Sequence, residues 1–158
     1  ISELLTKNEN LSIGLLGFGG AGKAILAFLL RDFEKKHKIF IFNRNPTKIQ
    51  NTSCSYALSD LETFIPHFDL LINATSVGHI ENINATPVDT KLLEKAKKTM
   101  IVYDIIYDPL KTVLLRNSQQ LGLSTINGLR MNLIQAVLAY GYTNKTALSK
   151  EEIYKIMN

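Results

Sequence analysis

One glycine-rich turn constrains this chain more than any other feature. The apolar run Leu11-Ser12-Ile13-Gly14-Leu15-Leu16 breaks into Gly17-Phe18-Gly19-Gly20-Ala21-Gly22, and an apolar helix-like segment, Lys23 to Phe33, follows at once. A continuous apolar run of this length reads as a strand buried on both faces, which is the habit of parallel sheets. Strand, tight glycine turn and helix in that order open a strand–helix–strand unit.

The rest of the chain repeats the alternation. Ile1 to Lys7 reads as a helix end, and Lys38–Phe42 as a second buried strand. Pro46 suits the first turn of a short helix through Gln50. Cys54–Leu58 is a weak third strand, after which Ser59 and Glu62 have the spacing of a capping box. Asp69–Asn73 forms a fourth strand, and Ala74 to Thr86 is a loop rich in Asn, Thr, Ser and Gly. A short amphipathic helix over Thr90–Lys98 leads to a fifth strand at Met100–Asp104. Asp108-Pro109 opens a helix over Leu110–Leu121, which Gly122 stops. Leu123–Ile126 is a sixth strand, Gly128–Tyr142 a long apolar helix and Ser149–Met157 a final short one. The pattern predicts an α/β chain with a Rossmann-like, doubly wound and mostly parallel six-stranded sheet, helices on both faces. Residues 1–158 form one domain. In such a sheet the ligand crevice lies at the strand C-termini where strand order reverses, so Gly17 and Asn73 should flank one groove.

Composition narrows the partners. The chain is 46% hydrophobic and 20% charged, a globular balance, and its net charge of +4 is spread among carboxylates rather than gathered into a basic arm. That argues against a nucleic-acid surface. No apolar run approaches a membrane span. The single cysteine, Cys54, cannot form an internal disulfide, which fits a reducing, cytoplasmic setting, and it reads as an inert core thiol. His37, His67 and His79 are isolated and lack metal-ligand spacing, so no metal site is expected. His37 and His67 read as surface residues before strands, and His79 falls in the loop after the fourth strand.

The glycine turn has a chemical use. Gly17 permits the turn, Gly19 lets the backbone approach a pyrophosphate, and Gly22 allows close packing of helix on strand. The helix N-terminus then offers unpaired N–H groups and partial positive charge to phosphates. The second strand ends in Asn43-Arg44-Asn45-Pro46-Thr47-Lys48, where an NAD site usually places a carboxylate. By itself this turn reads as a solvated basic surface. Beside a phosphate loop it reads as a 2′-phosphate grip, with Arg44 as the planar fork, Lys48 as a point charge and Asn45 as an amide donor. The cofactor expected is NADP(H).

Several stretches together are similar to one family. Gly17-Phe18-Gly19-Gly20-Ala21 resembles the Gly-Ala-Gly-Gly-Ala loop of shikimate dehydrogenases, and Asn43-Arg44-Asn45 their Asn-Arg-Thr turn. Asn73-Ala74-Thr75-Ser76 resembles their segment after strand four. Asp104, Tyr107, Pro109 and Thr112 match their Asp-x-x-Tyr-x-Pro…Thr stretch, and Asn127-Gly128-Leu129-Arg130-Met131 with Gln135-Ala136 their Asp-Gly-Leu-x-Met…Gln-Ala stretch. The resemblance implies that Gly17, Phe18, Gly19, Gly20 and Ala21 bind the pyrophosphate. It implies that Asn43, Arg44, Asn45 and Lys48 hold the 2′-phosphate. Ala74, Thr75 and Ser76 would line the nicotinamide ribose. Ile105, Gly128 and Met131 would meet the nicotinamide, and Tyr107 and Gln135 the substrate. Read from the residues alone, Gln135 and Tyr107 also suit ordinary core positions with a satisfied polar end.

In that family a second, N-terminal domain binds shikimate and supplies a Lys-Asp pair for proton transfer; neither is expected in this chain. The function implied is the NADP-binding domain of an oxidoreductase that moves hydride between NADPH and 3-dehydroshikimate, giving shikimate, in aromatic amino-acid biosynthesis. The isolated chain is then expected to be inactive. A quinate/shikimate dehydrogenase relative and a non-catalytic NADP-sensing module stand as alternatives. The apolar faces of Ile1–Leu5 and of the last helices would allow a homodimer.

Overall fold

The computed structural model describes residues 2–46 and 54–144, together with Ser149 and Glu152. Six strands form one sheet in the order β3-β2-β1-β4-β5-β6, and every neighbouring pair is parallel. β1 (Ser12–Leu16), β2 (Lys38–Asn43) and β3 (Ser55–Ala57) build outward on one side. β4 (Leu70–Asn73), β5 (Ile101–Asp104) and β6 (Ser124–Ile126) build outward on the other. The order therefore reverses between β1 and β4, and both strands abut there.

Among the described residues six α-helices cover the two faces: α1 (Ser2–Lys7), α2 (Gly20–Phe33), α3 (Leu61–Phe64), α4 (Thr90–Leu93), α5 (Val113–Gln120) and α6 (Leu129–Asn144). The period-two alternation of each strand sorts its side chains between them. Ile13, Leu15, Ile39, Ile41, Leu70 and Ile72 pack with Leu5 of α1, Leu26 and Leu29 of α2 and Met131 of α6. Leu16, Phe42, Leu71 and Val102 pack with Leu61 of α3, Leu93 of α4 and Leu114 and Leu115 of α5. Each fully buried Leu, Ile or Phe contributes about 1.5–3 kcal/mol. Phe42 adds edge-on contacts to Phe64 and Phe68, with ring centroids 5.6 and 5.8 Å away.

Local chemistry departs from the expected pattern at four places. α2 begins at Gly20 rather than Lys23, so the glycine turn supplies the helix's first turn. The Ser59–Glu62 box does not form. A 3₁₀ turn over Leu58–Asp60 intervenes, and Asp60 Oδ2 accepts from the Ala57 N–H at 3.1 Å. α4 closes after four residues, its start held by Asp89 Oδ1 accepting from Leu92 N at 2.8 Å. α5 starts at Val113 with Thr112 as its cap, leaving Asp108-Pro109 in the preceding bend. Gly122 stops α5 as expected: Gly122 N donates to Gln119 O and Leu123 N to Ser118 O, both at 3.0 Å.

His37 is a further correction. It is buried, stacked on Phe33 at 5.7 Å, and both ring nitrogens are bonded. Nδ1 accepts from Leu11 N at 3.3 Å and Nε2 faces Leu5 O at 3.0 Å, so the ring ties α1 to the start of β1. His67 is exposed, as expected. The predicted helix Pro46–Gln50 beyond Pro46, and nearly all of the predicted helix Ser149–Met157, lie outside the described residues. Ser149 and Glu152, which are described, bond reciprocally: Ser149 N and Oγ donate to Glu152 Oε2 at 2.8 Å, and Glu152 N donates to Ser149 Oγ at 3.2 Å.

Candidate functional site

The strands end almost flush. Leu16 stands opposite Phe42 on one side and Asn73 on the other, and Asn73 stands opposite Asp104. The residues that follow therefore share one rim, above the point where strand order reverses. They enclose a cleft of about 830 Å³, a size typical of cofactor sites.

Gly17 turns the chain out of β1 with φ +92°, a conformation L side chains rarely adopt. A Cβ there would come within 2.8 Å of Thr75 Cγ2, and one at Gly22 within 2.3 Å of Gly17 O. Those two glycines answer to the fold. Gly19 and Gly20 do not: a Cβ at either meets no atom within 4 Å, and both face the cleft. Their missing side chains leave room for something outside the chain. The first bonded amide of α2 is Lys23 N, donating to Gly19 O at 2.9 Å. The N–H groups of Gly20, Ala21 and Gly22 have no acceptor within the helix. No acidic residue sits in that first turn. The ring of Phe18 lines the cleft, with Lys23 Nζ 5.6 Å from its centroid.

Across the rim, Asn43 organises the turn after β2. Its Oδ1 accepts from Arg44 N at 3.0 Å and its Nδ2 donates to Asn45 O at 3.2 Å. Arg44 lines the cleft and is exposed. Among the described residues its guanidinium has no carboxylate partner. Among the described residues no Asp or Glu lines the cleft. Helix amides, a guanidinium and the lack of acids make the cleft attractive to anions.

The third wall is Ala74 to Val77, after β4. Asn73 fixes it: Oδ1 accepts from Thr75 N at 3.0 Å and Thr75 Oγ1 at 2.7 Å, and Val77 N donates to Thr75 Oγ1 at 3.2 Å. The fourth wall is Ile105 to Tyr107. Asp104, with no exposed surface, braces both walls. Its Oδ1 accepts from Asn73 Nδ2 at 3.0 Å and Ile106 N at 3.1 Å, and its Oδ2 accepts from Thr112 Oγ1 at 2.7 Å. Burial pushes the Asp104 carboxyl above its ordinary range, against the pull of those three donors. Burial first, and the Asp104 charge second, raise the neighbouring Tyr103 phenol. Leu58, His79, Asn82, Thr86 and Pro87 complete the lining.

Twelve of the residues singled out from sequence meet in this cleft: Gly17, Phe18, Gly19, Gly20, Ala21, Asn43, Arg44, Ala74, Thr75, Ser76, Ile105 and Tyr107. Asn45 follows Arg44 just outside the lining. Gly128 lies behind the wall, donating N–H to Ile106 O at 3.0 Å, and a Cβ there would overlap Ile105 O at 1.7 Å. Met131 packs on the core beneath α2, and Gln135 is exposed on α6. Lys48 lies outside the described residues. The sequence set Asn73 beside the groove and Asp104 and Thr112 in one matched stretch, but did not show the bracing role that joins the three. Its signal was a polar residue closing each of two adjacent buried strands, with a hydroxyl just before a helix. Among the described residues no group of three or more His, Cys, Asp or Glu is placed to hold a metal, and no helix is long and apolar enough to cross a membrane.

No protein-family profile matches the chain. Among curated proteins it is similar to the shikimate dehydrogenase (NADP(+)) of Bacillus licheniformis, 37% identical over 139 residues, covering 84% of this chain and 48% of the relative. The shikimate dehydrogenase (NADP(+)) of Methanococcus vannielii is 30% identical over 175 residues, covering 99% of this chain and 60% of the relative. The chain thus spans about half the length of the curated relatives it matches. Among solved structures, the shikimate 5-dehydrogenase of Thermus thermophilus in complex with NADP(H) and shikimate superposes with a TM-score of 0.69 at 30% identity, over 92% of this chain and 53% of that one.

Proposed function

We propose that this chain belongs to the shikimate dehydrogenase family and is the NADP(H)-binding half of an enzyme that interconverts 3-dehydroshikimate and shikimate. The observation that carries the reading is the pair of open glycines, Gly19 and Gly20, above a helix start, with acid-free Arg44 across the same cleft. The residues present suit the cofactor. In this reading the amides of Gly19 to Ala21 hold the pyrophosphate, and Arg44, aided by Asn43, Asn45 and Lys48, holds the 2′-phosphate. Ala74, Thr75 and Ser76 line the nicotinamide ribose, and Ile105 backs the ring, with Gly128 and Met131 supporting from behind. Tyr107, at 43% exposure, has a hydroxyl free to turn toward a substrate; Gln135 would have to reach it from α6. When bound, the dinucleotide supplies or accepts the hydride. The chain's own residues anchor it, set the face it presents and shield that face with Ile105 and Ile106.

We assign the protein to the cytoplasm, where its single thiol would stay reduced, and infer a homodimer that covers exposed apolar side chains of α6 such as Leu129 and Tyr140. The substrate half and its proton-transfer pair belong to this reading as well.

Titration of the 158-residue chain with NADP⁺ and NAD⁺ tests it. Arg44→Ala should weaken NADP⁺ by about 2 kcal/mol, roughly thirtyfold, and leave NAD⁺ unchanged. Equal losses would remove Arg44 from the phosphate site. Backbone amide resonances of Gly19, Gly20 and Arg44 that stay still at millimolar NADP⁺ would overturn the whole reading.

A further inference from the structure

Asp104 carries more than a bracing role. Its carboxylate has no exposed surface and accepts from three neutral donors, Asn73 Nδ2, Ile106 N and Thr112 Oγ1. Among the described residues no Lys, Arg or His pairs with it. Its three hydrogen-bond donors are neutral: Asn73 from β4, Ile106 from the turn after β5, Thr112 from the cap of α5. The ionisable neighbour on its own strand is Tyr103, whose phenol is held above its ordinary value and so stays uncharged at neutral pH. A buried anion without a counter-cation projects its field into the nearest space, because little water screens it. That space is the cleft, since Ile105 and Ile106, the two residues after Asp104, form its wall.

Resting on the nucleotide reading above, we infer that Asp104 acts as a buried counter-charge for the cleft: its carboxylate favours a ligand carrying positive charge against the Ile105–Ile106 wall, and so tightens the oxidised dinucleotide selectively. The oxidised nicotinamide ring carries one positive charge, and the reduced ring carries none. An attraction to that charge acts on one form alone. Asp104 does not touch the ligand; it sets the potential where the ring would lie. The same three hydrogen bonds that satisfy the carboxylate also keep it in place, so the charge is fixed rather than recruited.

Two measurements on the full chain test this. Dissociation constants for NADP⁺ and NADPH are compared in the parent and in Asp104→Asn at pH 8. NADP⁺ should bind about fivefold more weakly to the variant while NADPH is unmoved. A purely structural role would weaken both alike, and equal loss overturns the inference. Should Asp104→Asn fail to fold, the NADP⁺ and NADPH dissociation constants of the unaltered chain are followed downward from pH 8. The preference for NADP⁺ should shrink as the Asp104 carboxyl, raised by burial, takes up its proton; a preference that does not move with pH overturns the inference. Arg44, His79 and Tyr107 also border the cleft, which is why each comparison sets oxidised against reduced ligand on one protein. If neither dinucleotide binds the parent, the nucleotide reading itself falls; if both bind and these differences are missing, only the Asp104 inference does.

Discussion

Gly19 and Gly22 stand three residues apart and obey different constraints. Gly22 is pinned by Gly17 O, 2.3 Å from where its Cβ would sit, whereas Gly19 has open space and ordinary extended angles, φ −77° and ψ −166°. Gly22→Ala should therefore cost several kcal/mol in urea unfolding, on the order of a core overpacking. Gly19→Ala should leave stability within about 0.5 kcal/mol and instead weaken NADP⁺ binding, because the new methyl occupies the ligand's side of the loop. The reverse pattern would mean that the loop's open face is not where phosphates lie. The sequence showed both residues as one motif and could not separate them. Arg44's place on the cleft was legible because a strand end beside a glycine loop shares its rim. The bracing role of Asp104 was not, because it comes from Asn73 and Thr112, 31 and 8 residues away.

Among elements, α5 shows how a helix start can serve the site. Thr112 Oγ1 donates to Asp104 Oδ2 and also accepts from Leu115 N at 3.3 Å, so one hydroxyl caps the helix and anchors the cleft floor. Thr112→Val removes both bonds within a buried, fully satisfied network. It should lower the unfolding free energy by about 2–4 kcal/mol, and Thr112→Ser should restore most of that. Equal stability of the valine variant and the parent would show the bond to be idle. Strand positions were read within one or two residues throughout, since continuous apolar runs bounded by polar turns have few other readings. Short helices were read less well. α4 and α5 begin where single side chains, Asp89 and Thr112, find backbone amides, and that choice is made by the packed neighbours rather than by periodicity.

For the molecule as a whole, the proposed division of labour makes a sharp prediction. Among the described residues the cleft lining holds no Lys-Asp pair, and hydride transfer to a carbonyl needs a proton donor held in near-attack geometry. The 158-residue chain should bind NADP(H) and oxidise no shikimate; NADP⁺-dependent oxidation by the purified chain, followed by absorbance of the reduced nicotinamide, would refute the division.

The sequence by itself determined the class of sheet, the place of the glycine turn and the basic residue opposite it, since burial on both strand faces and glycine sterics act over a few neighbouring residues. Only the tertiary structure decided which glycines serve the fold and which leave space. It moved Gly128, Met131 and Gln135 off the cleft wall, buried His37, and brought Asn73, Asp104 and Thr112 into contact. Those outcomes depend on parallel strands lying side by side with their ends in register, an arrangement that joins residues far apart along the chain.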